Sequence, residues 1–124
     1  MSWPRAWLAL VAPGLLLAAC AQPPKTPAAL GGGDPQRGSV LLVREACGAC
    51  HVIPGIQEAD GEVGPPLSGM ARRTMIAGVL PNTPQNMARW VRDPQGVVPG
   101  NAMPDVGLSE QQASDIAAYL ATLR

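Results

Sequence analysis

Two cysteines and a histidine near the middle of the chain form a motif with the spacing of a redox-cofactor site. Cys47 and Cys50 are separated by two residues and His51 follows directly, in the run CGACH. Thiols at this spacing lie on neighbouring parts of one helical turn, so both can bond to the vinyl groups of one haem while the histidine is aimed at its iron. The spacing predicts covalent attachment of one haem c.

A redox dithiol, a zinc site and a structural disulfide are competing interpretations of this motif. A thioredoxin-like dithiol belongs beside a βαβ unit, and no segment of the sequence alternates like a strand. Zinc takes four ligands in structural sites, but His51 is the only histidine of the chain and the one remaining cysteine, Cys20, lies far upstream. Haem attachment is favoured over these alternatives.

The second axial position of such a haem has no histidine available, because the chain contains only His51. This position is occupied by another side chain or by water, or it stays empty. Met103 is the favoured ligand, since it stands in the proline-flanked run PGNAMP, outside any helical register. Three other methionines, Met70, Met75 and Met87, are predicted to fill the core.

Helices are the elements that must position these residues. An Asp-Pro pair predicts a first helix over residues 35–46. A Thr-Pro pair predicts a second helix, which begins after Thr83 and ends near Arg92 because Pro94 disfavours helical geometry in the residue before it. A capping box at Ser109 begins a third helix. The prediction is a small, loop-rich, all-α domain.

The sequence of residues 1–33 predicts export and a membrane anchor. Residues 1–19 have the form of a signal peptide, with Arg5 ahead of an apolar run that is shorter than the roughly 20 residues needed to cross a bilayer. The run ends in LAAC, which resembles a bacterial lipobox and predicts lipidation of Cys20; the alternative is ordinary cleavage that leaves an incidental thiol. Residues 20–33 are predicted to be a Pro- and Gly-rich linker, loose at its glycines. The predicted location is the periplasmic face of a bacterial membrane, with the inner membrane favoured.

The composition of the mature chain excludes some partners. Loss of Arg5 leaves 8 of the 9 basic side chains against 9 acidic ones, a net charge of −1. Without a basic patch, no nucleic-acid partner is expected. The mature chain keeps one tryptophan, Trp90, one tyrosine, Tyr119, and no phenylalanine. These supply little bulk for the core of a domain of about 90 residues, so something other than aromatic side chains must supply the rest.

Residues 34–124 resemble a class I cytochrome c over their whole length, in the order helix, CGACH, Gly-Pro-x-Leu, PGNAMP and terminal helix. The resemblance implies a small cytochrome c fold, in which three or more helices enclose one covalently bound haem between His51 and Met103. The stretch 99–124 is also similar to cytochrome domains associated with haem-copper oxidases, which favours an oxidase as the electron acceptor.

The same resemblance implies roles for residues on both sides of the haem. Gly-Pro-x-Leu stands here as GPPL at residues 64–67. It implies that the carbonyl of Pro65 accepts a hydrogen bond from Nδ1 of His51, which fixes the ring and raises its basicity. Trp90 matches the aromatic residue that lines the methionine side of the haem.

Further residues are matched at the edge of the haem and at the helix crossing. Arg73 matches the arginine that pairs with a haem propionate, although Arg72 beside it is an alternative, and Asn82 is a weaker propionate partner. Tyr119 matches the aromatic residue that packs across the first helix, where Gly38 permits a close approach.

The predicted function is that of a membrane-tethered electron carrier in a respiratory chain, with redox proteins as donor and acceptor and no small-molecule substrate. Thioether ligation and burial of the haem both favour the ferrous state and raise the reduction potential. Docking is predicted to use an uncharged rim that includes Ala49, Val97, Val98 and Ala102, with a weak dependence on ionic strength. A haem enzyme or gas sensor with an open sixth site, or a module of a larger respiratory complex, are the alternatives.

Overall fold

The computed structural model describes residues 31–124. The predicted signal peptide at 1–19, the lipidated Cys20 and most of the linker at 20–33 lie outside the described residues. Within residues 31–124 there are four helices, α1 at Pro35–Arg44, α2 at Pro84–Arg92, α3 at Pro94–Val97 and α4 at Glu110–Leu120. They are joined by 3-10 turns at Cys47–Ala49 and Met70–Arg72 and by two short strands, β1 at Met75–Ile76 and β2 at Leu80–Pro81.

Helix α1 begins where the Asp-Pro pair predicts. The Asp34 side chain accepts the backbone N–H of Arg37 at 3.0 Å, which caps the first turn. The helix ends at Arg44, two residues before the predicted end, because Ala46 adopts a left-handed conformation with φ 54°. This change of direction separates α1 from the turn that carries Cys47.

Helices α1 and α4 cross in close contact. A Cβ atom on Gly38 would lie 3.0 Å from Cβ of Tyr119 and 2.8 Å from the carbonyl carbon of Asp115, so only glycine permits this approach. Tyr119 therefore packs on α1 as predicted, and its hydroxyl donates to the carbonyl oxygen of Pro54 at 2.7 Å. The capping box at the start of α4 is also present, with Ser109 N–H donating to Oε1 of Gln112 at 2.8 Å.

A small antiparallel hairpin corrects the expectation that the chain has no strand. Strands β1 and β2 pair Ile76 with Leu80, and the turn residues Ala77 and Gly78 both have positive φ, 50° and 73°. Positive φ at both central residues is the type I′ turn that suits a hairpin. Met75 on β1 is 43% exposed, so its predicted place in the core is wrong; Met70 and Met87 are buried.

The core lies between α1, α2 and α4. Most of it is aliphatic, and its larger buried side chains are Leu41, Leu42, Ile53, Met70, Ile76, Met87, Val91, Leu108, Ile116, Leu120 and Leu123. Within residues 31–124, no helix has the length and apolar character that a membrane span requires.

A buried carboxylate holds the start of the described chain on α4. Asp115 is 2% exposed and accepts hydrogen bonds from the backbone N–H of Asp34 and from side-chain nitrogens of Arg37 and Gln111, at 2.8 to 2.9 Å. Gly33 is buried beside it, where an added Cβ would lie 2.9 Å from the Asp115 nitrogen. The predicted looseness at the glycines is therefore wrong for Gly33.

Candidate haem-binding site

A cavity of about 350 Å³ opens between the three long helices and the loops that join them. Its volume lies in the range of roughly 300–1,000 Å³ that small-molecule sites occupy. Cys47, Cys50, His51 and Met103 all line it, so the fold brings together the four residues that were selected from sequence. Aliphatic side chains of the core, including Leu42, form much of the remaining wall.

The two thiols lie on one tight turn. The backbone N–H groups of Cys50 and His51 both donate to the carbonyl oxygen of Cys47, at 3.2 and 3.1 Å. Both cysteines are half-buried and neither is in a disulfide. Burial raises the pKa of the Cys47 thiol, and the charge of Glu45 raises it further. The turn thus presents both thiols to the same cavity.

His51 is oriented by a hydrogen bond at one of its two ring nitrogens. Its Nδ1 atom lies 2.8 Å from the carbonyl oxygen of Pro65. A carbonyl can only accept, so Nδ1 carries the proton and Nε2 keeps a lone pair for a metal. The contact that the Gly-Pro-x-Leu resemblance implies is therefore present.

Gly64 packs against the same ring. A Cβ on Gly64 would lie 2.6 Å from Nδ1 and 2.9 Å from Nε2 of His51, and the Gly64 N–H donates to the carbonyl oxygen of Cys50 at 2.7 Å. This glycine had no role of its own in the sequence interpretation, although it begins the motif that contains Pro65.

Met103 lines the cavity from a loop that two polar side chains hold. Asn101 accepts the Met103 N–H at 2.7 Å, and Gln95 donates to the Met103 carbonyl oxygen at 2.9 Å. Sequence reasoning missed both residues. An asparagine such as Asn101, two positions before a loop residue, is a turn signal that the sequence does show. Nothing in the sequence marks Gln95, because its contact with Met103 depends on the path of the loop.

Trp90 and Arg73 also lie on the cavity wall, while Arg72 is not among the lining residues. The structure therefore favours Arg73 over its neighbour as a propionate partner; its guanidinium now donates to the carbonyl oxygen of Pro66. The prediction for Asn82 is wrong. Its amide nitrogen donates to two backbone carbonyl oxygens, those of Met70 and Arg73, at 2.8 Å each, and so has no hydrogen left for a propionate.

A protein-only metal site is not found in the part of the chain that the structure describes, where no three His, Cys, Asp or Glu side chains converge. The cavity instead combines two thiols, one imidazole and one thioether on apolar walls, which fits a haem bound through both thiols.

The family model for cytochrome c matches residues 35–124. The chain belongs to the cytochrome c family. Family membership confirms the predicted cytochrome c fold and the cofactor, one covalently attached haem c.

Relatives of two kinds share this domain. Cytochrome c oxidase subunit 2 of Alkalihalophilus pseudofirmus is 34% identical over 89 residues, which are 71% of this chain and 25% of the relative. Cytochrome c2 of Agrobacterium tumefaciens is 32% identical over 106 residues, 71% of this chain and 90% of the relative. This chain therefore spans about a quarter of the oxidase subunit that it matches.

The same fold is present in a solved structure. The crystal structure of cytochrome c2 from Rhodobacter sphaeroides superposes with a TM-score of 0.50 at 22% identity, covering 73% of this chain and 96% of the other. At 22% identity, this structural match is evidence for the fold alone.

Proposed function

We propose that this cytochrome is a membrane-tethered, single-haem carrier that passes electrons along a respiratory chain to a terminal oxidase. The observation that carries the proposal is the meeting of Cys47, Cys50, His51 and Met103 on one apolar cavity. When bound, the haem supplies one-electron exchange between ferric and ferrous iron.

The chain's own residues determine what that iron can do. The thiols of Cys47 and Cys50 would hold the haem by thioether bonds, and the free Nε2 of His51 and the Met103 sulfur would be the two protein ligands of its iron. With both ligands in place, no open position would be left for a substrate. A thioether ligand and apolar walls both disfavour the extra charge of the ferric state, which raises the reduction potential.

Two further residues on the cavity wall stabilise the bound haem. The Arg73 guanidinium would pair with a propionate, in exchange for its present bonds to the backbone carbonyl oxygens of Pro66 and Ser68. The half-buried Trp90 would pack against the methionine side of the haem. The Arg73 contact would anchor the propionate edge of the haem. The Trp90 contact would exclude water from the haem cavity.

An exposed, largely uncharged rim at the cavity mouth is the docking surface for the redox partner. Val63 is 74% exposed and Val106 is 39% exposed, and both line the cavity, as does the exposed Ala102. Similarity to cytochrome c oxidase subunit 2 supports an oxidase as the acceptor. Ala49 is exposed but Val97 and Val98 are half-buried, and none of these three lines the cavity.

Attachment to the membrane is through lipidated Cys20, after cleavage of residues 1–19, on the periplasmic face of a bacterial membrane, with the inner membrane favoured. The LAAC run supports this part of the proposal. Radiolabelled fatty acid should enter the wild-type protein and should not enter Cys20→Ser, which should leave the membrane fraction. Label in the Cys20→Ser variant would contradict the anchor.

Visible spectroscopy of the purified domain tests the carrier function. The reduced protein should show the sharp bands of haem c, and the ferric protein should show the weak far-red absorption of iron bonded to a methionine sulfur. A colourless mature protein would refute the proposal. Binding of azide or CO by the resting protein would favour a haem enzyme or gas sensor with an open sixth site.

A further inference from the structure

The loop that carries Met103 is closed on itself by Asn101. The side-chain oxygen of Asn101 accepts the Met103 N–H at 2.7 Å. Its side-chain nitrogen donates to the carbonyl oxygens of Pro94 and Val98, at 2.8 and 2.7 Å. The Asn101 side-chain amide thereby links the backbone at Pro94 and Val98 to the backbone of Met103.

Gln95 fastens this closed loop to helix α3. Its Nε2 donates to the carbonyl oxygens of Asn101 and Met103, at 3.0 and 2.9 Å, and its Oε1 accepts the N–H of Gly100 at 3.1 Å. Both amide hydrogens of Gln95 are therefore used on the backbone of the Met103 loop.

The position of Gln95 shows how it acts. It stands on the short helix α3, whose first turn is capped by Asp93, and it follows Pro94, whose side chain is buried and whose φ is fixed by its ring. Gln95 is exposed and is not among the residues that line the cavity. Its influence on the haem therefore passes through the backbone of the loop.

We propose that Gln95 is a positioning residue that sets how often the Met103 sulfur leaves the iron. The inference rests on the proposed ligation by Met103. For the sulfur to withdraw, the loop must move and break its hydrogen bonds to the amide of Gln95. These bonds lower the population of an open state in which an external ligand reaches the iron. Their removal raises the population of that open state.

Imidazole binding to the ferric, haem-loaded protein measures this population. Gln95→Ala removes all three bonds and should increase imidazole affinity about tenfold or more, because each net hydrogen bond lost shifts such an equilibrium several-fold. The far-red absorption should weaken in parallel. Gln95→Glu is a second variant in case the first does not fold; it keeps the acceptor but places a carboxylate against the carbonyl oxygens of Asn101 and Met103.

Gln36→Ala is the matched control, since Gln36 is exposed on α1 and its side chain has no hydrogen bond to the described residues. It should leave imidazole affinity unchanged. The unfolding midpoint of each variant is measured alongside, because a purely structural role would lower the midpoint without changing imidazole affinity.

Wild-type imidazole affinity and far-red absorption in both Gln95 variants would overturn the proposal. An equal rise in imidazole affinity in Gln36→Ala would overturn it as well. A wild-type protein that itself lacks the far-red absorption would overturn the ligation by Met103, a result distinct from a failure of Gln95 alone.

Discussion

The backbone of Gly64 lies against the imidazole ring of His51. A Cβ at this position would fall 2.6 Å from Nδ1, closer than a methyl group can approach a ring nitrogen. Gly64→Ala is therefore expected to push the ring away from the Pro65 carbonyl oxygen and to weaken its bond to iron. The fold should lose about 2 kcal/mol of stability through overpacking. Visible spectra and denaturant unfolding measure the two effects.

Gly78→Ala provides the comparison for this variant. Gly78 has φ +73°, and no atom lies within 4 Å of the position that a Cβ would take there, so alanine introduces backbone strain without a clash. It should cost about 1 kcal/mol and leave the haem spectrum unchanged. A wild-type spectrum and stability in Gly64→Ala would show that the ring is not confined by this glycine.

Replacement of the proposed sulfur ligand should change the electronic properties of the iron. Met103→Leu keeps the apolar volume but removes the thioether. It should abolish the far-red absorption, open a site for azide and lower the reduction potential by on the order of 100 mV, within the roughly 0.8 V that axial ligands span. Redox titration and azide binding are the measurements.

Met75→Leu is the control, because Met75 also borders the cavity but is 43% exposed on β1. Loss of the far-red absorption in Met75→Leu would reassign the sulfur ligand.

The motifs that could be predicted from sequence are those whose geometry is local. The CGACH run fixes two thiols and an imidazole within one turn, and Asp34, Thr83 and Ser109 cap their helices through bonds that span three residues. Such contacts depend on spacing along the chain, so the residue types alone identify them.

Contacts that depend on tertiary structure could not be predicted in this way. The two-residue strands of the hairpin are too short for an alternating pattern, and α3 has only four residues in a segment dense in proline and glycine. Asn82 has the chemistry of a propionate partner, but the fold uses its amide on the carbonyl oxygens of Met70 and Arg73. Gln95 reaches Met103 only because the loop turns back towards α3.

Asp115 should make the stability of the domain depend on acid pH. Burial alone raises the pKa of its carboxyl, but hydrogen bonds from Arg37, from the Asp34 backbone and from Gln111 outweigh burial and lower the pKa overall. A lowered folded-state pKa means that the carboxylate stabilises the fold above its unfolded pKa of about 4, and that this contribution is lost as the pH falls through the folded value.

Asp115→Asn should therefore cost about 2 kcal/mol at pH 7, and the difference from wild type should shrink in acid. Urea unfolding at pH 7 and at about pH 3 gives both values. Asp60→Asn is the control, since Asp60 is exposed and its side chain has no hydrogen bond within residues 31–124. A deficit in Asp115→Asn that is the same at both pH values would contradict the ionic role.

A charge at the cavity mouth should slow electron transfer to the acceptor. Val63 is 74% exposed and lines the cavity, whereas Val40 is 65% exposed on the outer face of α1 and does not. Val63→Glu should reduce the second-order rate constant about tenfold, because the carboxylate is desolvated in the docked complex. Val40→Glu should have little effect, and the wild-type rate should depend weakly on ionic strength in stopped-flow experiments. Equal slowing by both variants would place the docking surface elsewhere.

The haem should be required for cooperative folding. A cavity of about 350 Å³, at about 24 cal/mol per Å³, corresponds to an upper limit of roughly 8 kcal/mol, comparable with the whole stability of about 5–15 kcal/mol that a domain of this kind has. The double variant Cys47→Ala/Cys50→Ala, with neither thiol to retain the haem, should lose its sharp thermal transition. Fluorescence of Trp90, which lines the cavity, should rise once the quenching haem is absent.

Cys47→Ala alone is the control, because one remaining thioether should still hold the haem and preserve the thermal transition. A double variant that unfolds cooperatively at the wild-type midpoint would show that the helices pack without the group they enclose.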